Sequence, residues 1–173
     1  APSAPSAPST VEAALADTDP AAATSPVPAT AALPDPVPAP AAPAADSSDP
    51  DALVAATLAR VSYPWQQALI GWQVQFLPGR SGLRGLTFPD QRRIEVYVRS
   101  TDTPATLARV LAHELGHALD VARNGTRDRA RWREVRGVGP TVPWWPSDAA
   151  TDFATVAGDF AEAFAVWQTG VTS

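Results

Sequence analysis

The chain has 173 residues, and its 18 acidic and 13 basic side chains give a formal net charge of −5. It contains no cysteine, which excludes disulfides, thiolate zinc ligands and a cysteine nucleophile. No apolar run approaches the ~20 residues of a membrane-spanning helix, so we expect no membrane span.

The first 50 residues differ in composition from the rest of the chain. They hold 12 of the 19 prolines, six acidic residues and no basic residue, and few apolar side chains larger than alanine. Such a segment buries too little apolar surface to offset the entropy of ordering. We predict a disordered Ala/Pro-rich spacer at residues 1–50. A spacer of this kind ahead of a folded domain suggests a protein processed from a longer precursor and exported to a bacterial cell envelope or the extracellular space.

The elements of residues 51–173 follow from periodicity and from Pro and Gly breakers. Strands that precede helices indicate an α+β fold, with a small twisted sheet packed against helices. In the clearest strand, Ile94 and Val96 face one side while Glu95 and Tyr97 face the other. In chain order we predict a helix at 51–61 capped by Ser48 or Asp49, a helical turn at 65–71, strands at 72–77 and 83–88, a turn at 89–91, a strand at 92–99, helices at 103–123 and 127–136, a loop at 137–146, and a helix at 155–168.

The acidity of the chain belongs to the spacer, since residues 51–173 carry 12 acidic residues and 13 arginines. Arginines are frequent between residues 123 and 136, but they alternate around Asp128 and Glu134. That pattern favours a solvated helix with ion pairs over a phosphate-binding surface. We therefore expect no nucleic-acid partner, and we expect a monomer.

The most informative segment is residues 113–117, which read HELGH and contain both histidines of the chain. At i and i+4 of a helix, His113 and His117 share one face, where two imidazoles can hold one Zn²⁺ with Glu114 beside it as a general base. The alternative is a solvated helix face that carries two histidines by accident. Gly116 suggests either the close approach of another backbone or ordinary helix packing.

A catalytic zinc site uses three protein ligands, so the third must here be a carboxylate. Asp120 lies too close along its own helix to complete the site and is better placed to orient a ligating histidine or to pack the helix. The alternative is a solvated helix carboxylate. Asp159 and Glu162 share one face of an otherwise apolar helix, where charged groups are costly unless paired or bound to metal. The alternative is a helix edge that faces solvent. The acidic residues downstream of the motif are Asp120, Asp128, Glu134, Asp148, Asp152, Asp159 and Glu162.

Two segments carry a family resemblance: residues 111–120 read LAHELGHALD and residues 160–164 read FAEAF. Together they resemble the gluzincin metallopeptidases, in particular the family of the anthrax lethal factor catalytic domain and the Pro-Pro endopeptidases. The resemblance implies a minimal zincin-like domain that hydrolyses peptide bonds as an endopeptidase. It also implies that His113 and His117 bind Zn²⁺ and that Glu114 is the general base.

The chain departs from that family at two positions. The family's zinc-binding glutamate falls at Gly158, so the ligand is expected from Asp159 or from Glu162. We favour Asp159 as the ligand and Glu162 as the group that orients a histidine. The family's oxyanion-stabilising tyrosine falls at Thr151, so a different donor is needed.

Substrate contacts are predicted from the remaining aromatic residues and from the strand at 92–99. An exposed edge of that strand is expected to pair with an extended peptide. Tyr97, Trp144 and Trp145 are candidates to line side-chain pockets, although the tryptophans equally suit an anchoring role in the loop. The predicted function is a zinc-dependent peptidase acting on a peptide or protein. The alternative is a weakly active or inactive zinc-binding domain with a regulatory or peptide-binding role.

Overall fold

The computed structural model describes residues 49–147 and 151–170, so the predicted spacer lies almost entirely outside the described residues. These residues form a three-stranded mixed sheet and five α-helices, which confirms the α+β fold class. In chain order the elements are α1 Pro50–Leu58, α2 Trp65–Ala68, β1 Gln73–Pro78, β2 Gly85–Phe88, a 3₁₀ turn Pro89–Gln91, β3 Arg93–Val98, α3 Pro104–Arg123, α4 Thr126–Arg136, a 3₁₀ turn Asp152–Ala154, and α5 Val156–Thr169.

The element boundaries all lie within three residues of the sequence expectation, and the differences at α1 and β3 are two of several. Helix α1 ends at Leu58, three residues early, and Asp49 caps its start by accepting a 2.9 Å hydrogen bond from the Asp51 amide. Arg92 was expected inside the third strand, but it has a φ of 48°. It takes this left-handed conformation because it ends the 3₁₀ turn and reverses the chain into β3.

The sheet has the strand order β1-β3-β2, with β3 parallel to β1 and antiparallel to β2. The expected free edge on the strand at 92–99 is therefore wrong. The hairpin with β2 occupies one side of β3, and the parallel pairing with β1 occupies the other. The free edges of the described sheet belong to β1 and β2.

Helix α3 lies across the sheet and forms most of the core. Its apolar stripe includes Leu107, Leu111 and Leu115, which are fully buried, as are Ile94 and Val96 on the facing strand. Although α3 has 20 residues, polar side chains interrupt it. Within residues 49–147 and 151–170, no helix is both long and apolar enough to span a bilayer.

Helices α3 and α5 pack at very short range through Gly116. A Cβ added at Gly116 would lie 2.6 Å from the Ala161 Cα, a distance that real Cβ atoms essentially never show. Gly116 is therefore a close-approach glycine, as one of the two sequence interpretations proposed. This contact sets the spacing between the motif helix and the C-terminal helix.

We predict that Gly116→Ala destabilises the fold despite its better helix propensity. Alanine gains about 1 kcal/mol in a helix, whereas overpacking against a backbone atom costs about 1–3 kcal/mol. Urea unfolding should show a lower midpoint for this variant. Gly139→Ala is the matched control, because a Cβ there meets nothing within 4 Å. An unchanged or higher midpoint for Gly116→Ala would contradict the close contact.

Candidate metal centre

The two histidines of the chain meet in the interior of the fold. Thr103 caps α3 by accepting a 3.2 Å hydrogen bond from the Thr106 amide, and Pro104 occupies the first turn, as expected. One turn apart on α3, His113 and His117 are both fully buried. Their Nε2 atoms lie 3.2 Å apart, so both rings point to one place. The reading of these histidines as an accidental solvated pair is therefore wrong.

Asp152 brings a carboxylate to the same place. It lies in the 3₁₀ turn before α5 and is 2% exposed. Its Oδ2 lies 2.9 Å from Nε2 of His113, and its Oδ1 lies 3.2 Å from Nε2 of His117. His113, His117 and Asp152 form the one group of potential metal ligands found among the described residues. The carboxylate faces both imidazoles at once.

The charges in this cluster are strongly coupled. Burial by itself lowers the pKa of His113, but contacts with Asp152 and Glu162 outweigh burial and raise the pKa to about 9. Burial alone would raise the pKa of Asp152, yet hydrogen bonding with the two histidines holds that pKa well below its usual range. The cluster therefore favours an ionised carboxylate and a nearby positive charge.

Glu162 lies on the far side of His113 from the cluster. Its Oε2 is 3.4 Å from Nδ1 of His113, while its Oε1 pairs with Arg109 one helical turn before that histidine. A carboxylate beside Nδ1 is positioned to orient an imidazole whose Nε2 binds a metal. The orienting role favoured for Glu162 stays a prediction.

Glu114 is fully buried against β2. Its Oε2 accepts a 2.7 Å hydrogen bond from Thr87, whereas its Oε1 has no hydrogen-bond partner among the described residues. Gly85 makes room for this carboxylate, because a Cβ there would lie 2.6 Å from Oε1. Burial raises the pKa of Glu114, against the opposing effect of His117 and His113.

The preference for Asp159 as the third ligand is corrected by the structure. Its carboxylate pairs with Arg136 at 2.7 Å and accepts a 2.9 Å hydrogen bond from the Trp132 indole. Asp159 follows Gly158 directly, and one residue along a helix rotates a side chain by about 100°. It therefore points to α4, while Asp152 joins the histidines. Asp148, another acidic residue downstream of the motif, lies outside the described residues.

Gly158 explains why the carboxylate comes from the turn and not from the helix. A Cβ added at Gly158 would lie 2.1 Å from the backbone oxygen of Asp152 and 3.0 Å from its Oδ1. Thr155 holds the same turn, since its hydroxyl donates 2.7 Å to the Asp152 oxygen and accepts 3.0 Å from the Gly158 amide. The turn that carries Asp152 occupies the space that a side chain at position 158 would need.

Asp120 holds the loop that follows α4. It is fully buried and accepts a 2.7 Å hydrogen bond from the Trp144 indole and a 3.2 Å bond from Arg129. The guanidinium of Arg129 lies over the rings of Trp144 and Trp145. These contacts match the anchoring interpretation of the two tryptophans. The described contacts of Asp120 do not include a histidine, so they match the helix-packing alternative and not the orienting role or a solvated carboxylate.

Neither tyrosine lies with the histidines. Tyr97 is 6% exposed, packs with Leu83 and Leu86 on the other face of the sheet, and donates a hydrogen bond to Glu95. It is therefore not placed to line a substrate pocket. Tyr63 contacts the rings of Phe164 and Trp167. Neither tyrosine lies where it could act as the oxyanion donor expected in place of Thr151.

No match was found when the chain was compared with family models, with curated proteins and with solved structures. The gluzincin resemblance therefore stays a prediction. A metal site is inferred only from the distances among His113, His117 and Asp152 and from their burial.

Sequence reasoning missed the roles of Gly85, Thr87 and Arg109. Their contacts with Glu114 and Glu162 join segments that are far apart in the chain, and no local pattern marks them. Asp152 was one of several acidic candidates and was not singled out. A signal for it existed, since the glycine at 158 implies that something packs closely there.

We predict that Asp152→Ala loses most of its zinc affinity while Asp159→Ala keeps it. The first change removes a carboxylate that faces both imidazoles, whereas the second removes an ion pair with α4. Each variant is loaded with zinc and dialysed, and the molar ratio of zinc to protein is then measured by mass spectrometry. This ratio distinguishes the two variants. Equal zinc content in both variants would remove Asp152 from the site.

We also predict that Gly158→Ala weakens zinc binding by displacing the turn that carries Asp152. A backbone oxygen 2.1 Å away cannot accommodate a methyl group without moving. Competition with a chromophoric chelator should show a higher dissociation constant, with Gly139→Ala unchanged. Wild-type affinity in a folded Gly158→Ala protein would show that the turn does not position the ligand.

Proposed function

We propose that this protein is a zinc-dependent peptidase in which His113, His117 and Asp152 hold the metal and Glu114 is the general base. The observation that carries the proposal is the convergence of two imidazole nitrogens and one carboxylate at a single buried point. A zincin-like architecture, with the motif helix packed under a small sheet, is part of the same proposal.

The donor set fits zinc in chemistry and in spacing. Ligands at about 2.0–2.1 Å in a tetrahedron lie roughly 3.3 Å from one another. The two Nε2 atoms lie 3.2 Å apart, and each has a different Asp152 oxygen near it: Oδ2 is 2.9 Å from His113 and Oδ1 is 3.2 Å from His117. Two histidines and one carboxylate are a common zinc-enzyme set and leave one coordination position for water or substrate. Glu162 at Nδ1 of His113 supplies the outer partner that such ligands usually have.

Bound zinc would supply Lewis acidity, polarising a peptide carbonyl and making water easier to deprotonate. Glu114 then accepts a proton from the attacking water at Oε1, the oxygen that Thr87 does not engage. The same carboxyl later gives the proton to the leaving amine. Burial raises the pKa of Glu114, which is the direction that a carboxyl acting as both base and acid needs.

β2 is the strand beside the candidate base. Gly85 lies against the Glu114 carboxylate, and Thr87 bonds to it. The outer edge of β2 pairs with no other strand of the described sheet, but Gly85, Leu86 and Thr87 are all buried. An extended peptide therefore pairs with β2 only if this edge becomes exposed, as turnover also requires of the Asp152–Ala154 turn.

The alternative is a zinc-binding domain without peptidase activity. One observation favours it: His113, His117, Glu114 and Asp152 are all at most 2% exposed. The Phe153 ring, 48% exposed, packs 5.8 Å from the His113 ring and marks the side nearest solvent. Turnover therefore requires the Asp152–Ala154 turn to admit substrate, whereas a regulatory zinc domain has no such need.

Glu114→Gln tests the two functions together. We expect the variant to bind one zinc and to lose hydrolysis of a broad peptide mixture by orders of magnitude, since the base acts in the bond-breaking steps. Mass spectrometry of the digest and metal analysis give the two readouts. Undiminished hydrolysis would exclude Glu114 as the base. Absence of hydrolysis in the zinc-loaded wild type would favour the regulatory domain.

A further inference from the structure

Asp120 and Trp144 join the motif helix to the loop that precedes the third candidate ligand. Asp120 follows His117 by three residues on α3 and is fully buried, and its Oδ2 accepts a 2.7 Å hydrogen bond from the Trp144 indole. Its Oδ1 accepts hydrogen bonds from Asn124 at 3.0 Å and from Arg129 at 3.2 Å. Because a buried carboxylate is costly unless it is hydrogen-bonded, these contacts fix the position of the Trp144 indole relative to α3.

The backbone of this loop continues the connection to α5. The Trp144 carbonyl accepts a 2.9 Å hydrogen bond from the Ala157 amide, and the Pro143 carbonyl accepts a 3.1 Å bond from the Val156 amide. Val156 and Ala157 are the first two residues of α5, and both are fully buried. The first amides of a helix have no partner within the helix, so the loop supplies the acceptors that they need. The loop therefore fixes the place where α5 begins.

The start of α5 in turn holds the turn with Asp152. Thr155 caps α5, and its amide and hydroxyl donate to the Asp152 carbonyl at 2.9 and 2.7 Å. Gly158 packs against the same carbonyl and leaves no room for a side chain. His113 and His117 lie on α3, whereas Asp152 moves with α5. A shift at the start of α5 would thus separate the carboxylate from the two imidazoles.

Arg129 restricts the movement of the loop at its tryptophans. Its guanidinium carbon lies 5.3 Å from the ring centroid of Trp144 and 4.7 Å from that of Trp145, while its Nε donates to Asp120. Arginine binds aromatic faces and carboxylates at the same time because its donors lie in the plane of the guanidinium. The indole of Trp144 is therefore held both by its N–H and by its ring.

We infer that Asp120 and Trp144 are positioning residues for the metal centre, because their contact holds the Asp152 carboxylate beside His113 and His117. Asp120 serves the centre without touching a histidine, since its effect passes through the loop and the start of α5. This inference rests on the metal ligands of the proposed function, but it does not depend on peptide hydrolysis.

The first experiment compares the zinc dissociation constants of Trp144→Phe and Trp132→Phe by competition with a chromophoric chelator. Each change deletes one indole–carboxylate hydrogen bond and keeps an aromatic ring. Trp132 is the matched control, because it donates to Asp159, which Arg136 also holds. We expect Trp144→Phe to weaken zinc binding about tenfold, as for other groups behind metal ligands, and Trp132→Phe to leave it unchanged. Wild-type affinity in Trp144→Phe would overturn the inference.

The second experiment separates positioning from a general loss of stability. Trp144→Phe is combined with Asp152→Ala, in which the turn supplies no ligand and zinc binds through the two histidines, and a weaker chelator is used. If Trp144 acts through Asp152, its substitution should no longer change the zinc dissociation constant. An equal loss of affinity with and without Asp152 would show a structural role only and reject the positioning role.

The third experiment measures amide hydrogen exchange by NMR in the zinc-free full chain, so it needs neither metal nor hydrolysis. We expect Trp144→Phe to speed exchange at the amides of Thr155 and Ala157 and to leave the Leu115 amide on α3 unchanged. Unchanged exchange at Thr155 and Ala157 would contradict the connection through the loop.

The outcomes distinguish this inference from the peptidase proposal. If the zinc-loaded wild type hydrolyses no peptide but the effects of Trp144→Phe on zinc binding and exchange appear, the peptidase proposal fails and the positioning role stands. If hydrolysis occurs and Trp144→Phe binds zinc as the wild type does, the positioning role fails and the peptidase proposal stands. A wild type that binds no zinc would remove both.

Discussion

A buried carboxylate between two buried imidazoles requires a compensating positive charge, and the rest of the site depends on that requirement. An isolated ionised carboxylate in the interior costs several kcal/mol or more. Asp152 faces both Nε2 atoms within 3.2 Å, so the charge arrives either as a proton on an imidazole or as a metal ion. We propose that the charge is a metal ion, since two imidazoles and one carboxylate are a common zinc-binding set.

Three glycines allow the surrounding elements to meet at this point. Gly116 lets α5 approach the motif helix, Gly158 lets the turn with Asp152 pass α5, and Gly85 lets β2 lie against Glu114. At each position a methyl group would come within 2.6 Å of a neighbouring atom. Close backbone approach brings ligands from different elements together without long side chains. It also leaves little open space, which accounts for the burial of the centre.

The motif helix and the fold class were predictable because their signals are local. Helical spacing of leucines, the Thr103–Pro104 start and the HELGH pattern all lie within one segment. The third carboxylate was not predictable in the same way. Asp159 and Glu162 share a helix face in the sequence, but packing turns Asp159 toward Arg136 and Glu162 toward His113. Which side each residue faces is set by α4 and α3, which the local pattern does not contain.

Strand pairing was the other feature that the sequence left open. The alternation at 92–99 predicted a strand but not its neighbours. Because β3 pairs on both sides, the edge strands of the described sheet are β1 and β2. Of these, β2 carries Gly85 and Thr87, which contact Glu114. The predicted spacer, the exported location and the monomeric state stay predictions, because the described residues do not bear on them.

Zinc K-edge X-ray absorption on the purified, zinc-loaded full chain tests the central claim most directly. The account predicts one zinc per chain with two imidazole nitrogens and only oxygen otherwise, at four-coordinate distances of about 2.0–2.1 Å. Replacing Asp152 with alanine should change the oxygen shell and leave both imidazoles. A six-oxygen spectrum without imidazole, or no bound zinc after loading, would contradict the metal centre at His113, His117 and Asp152.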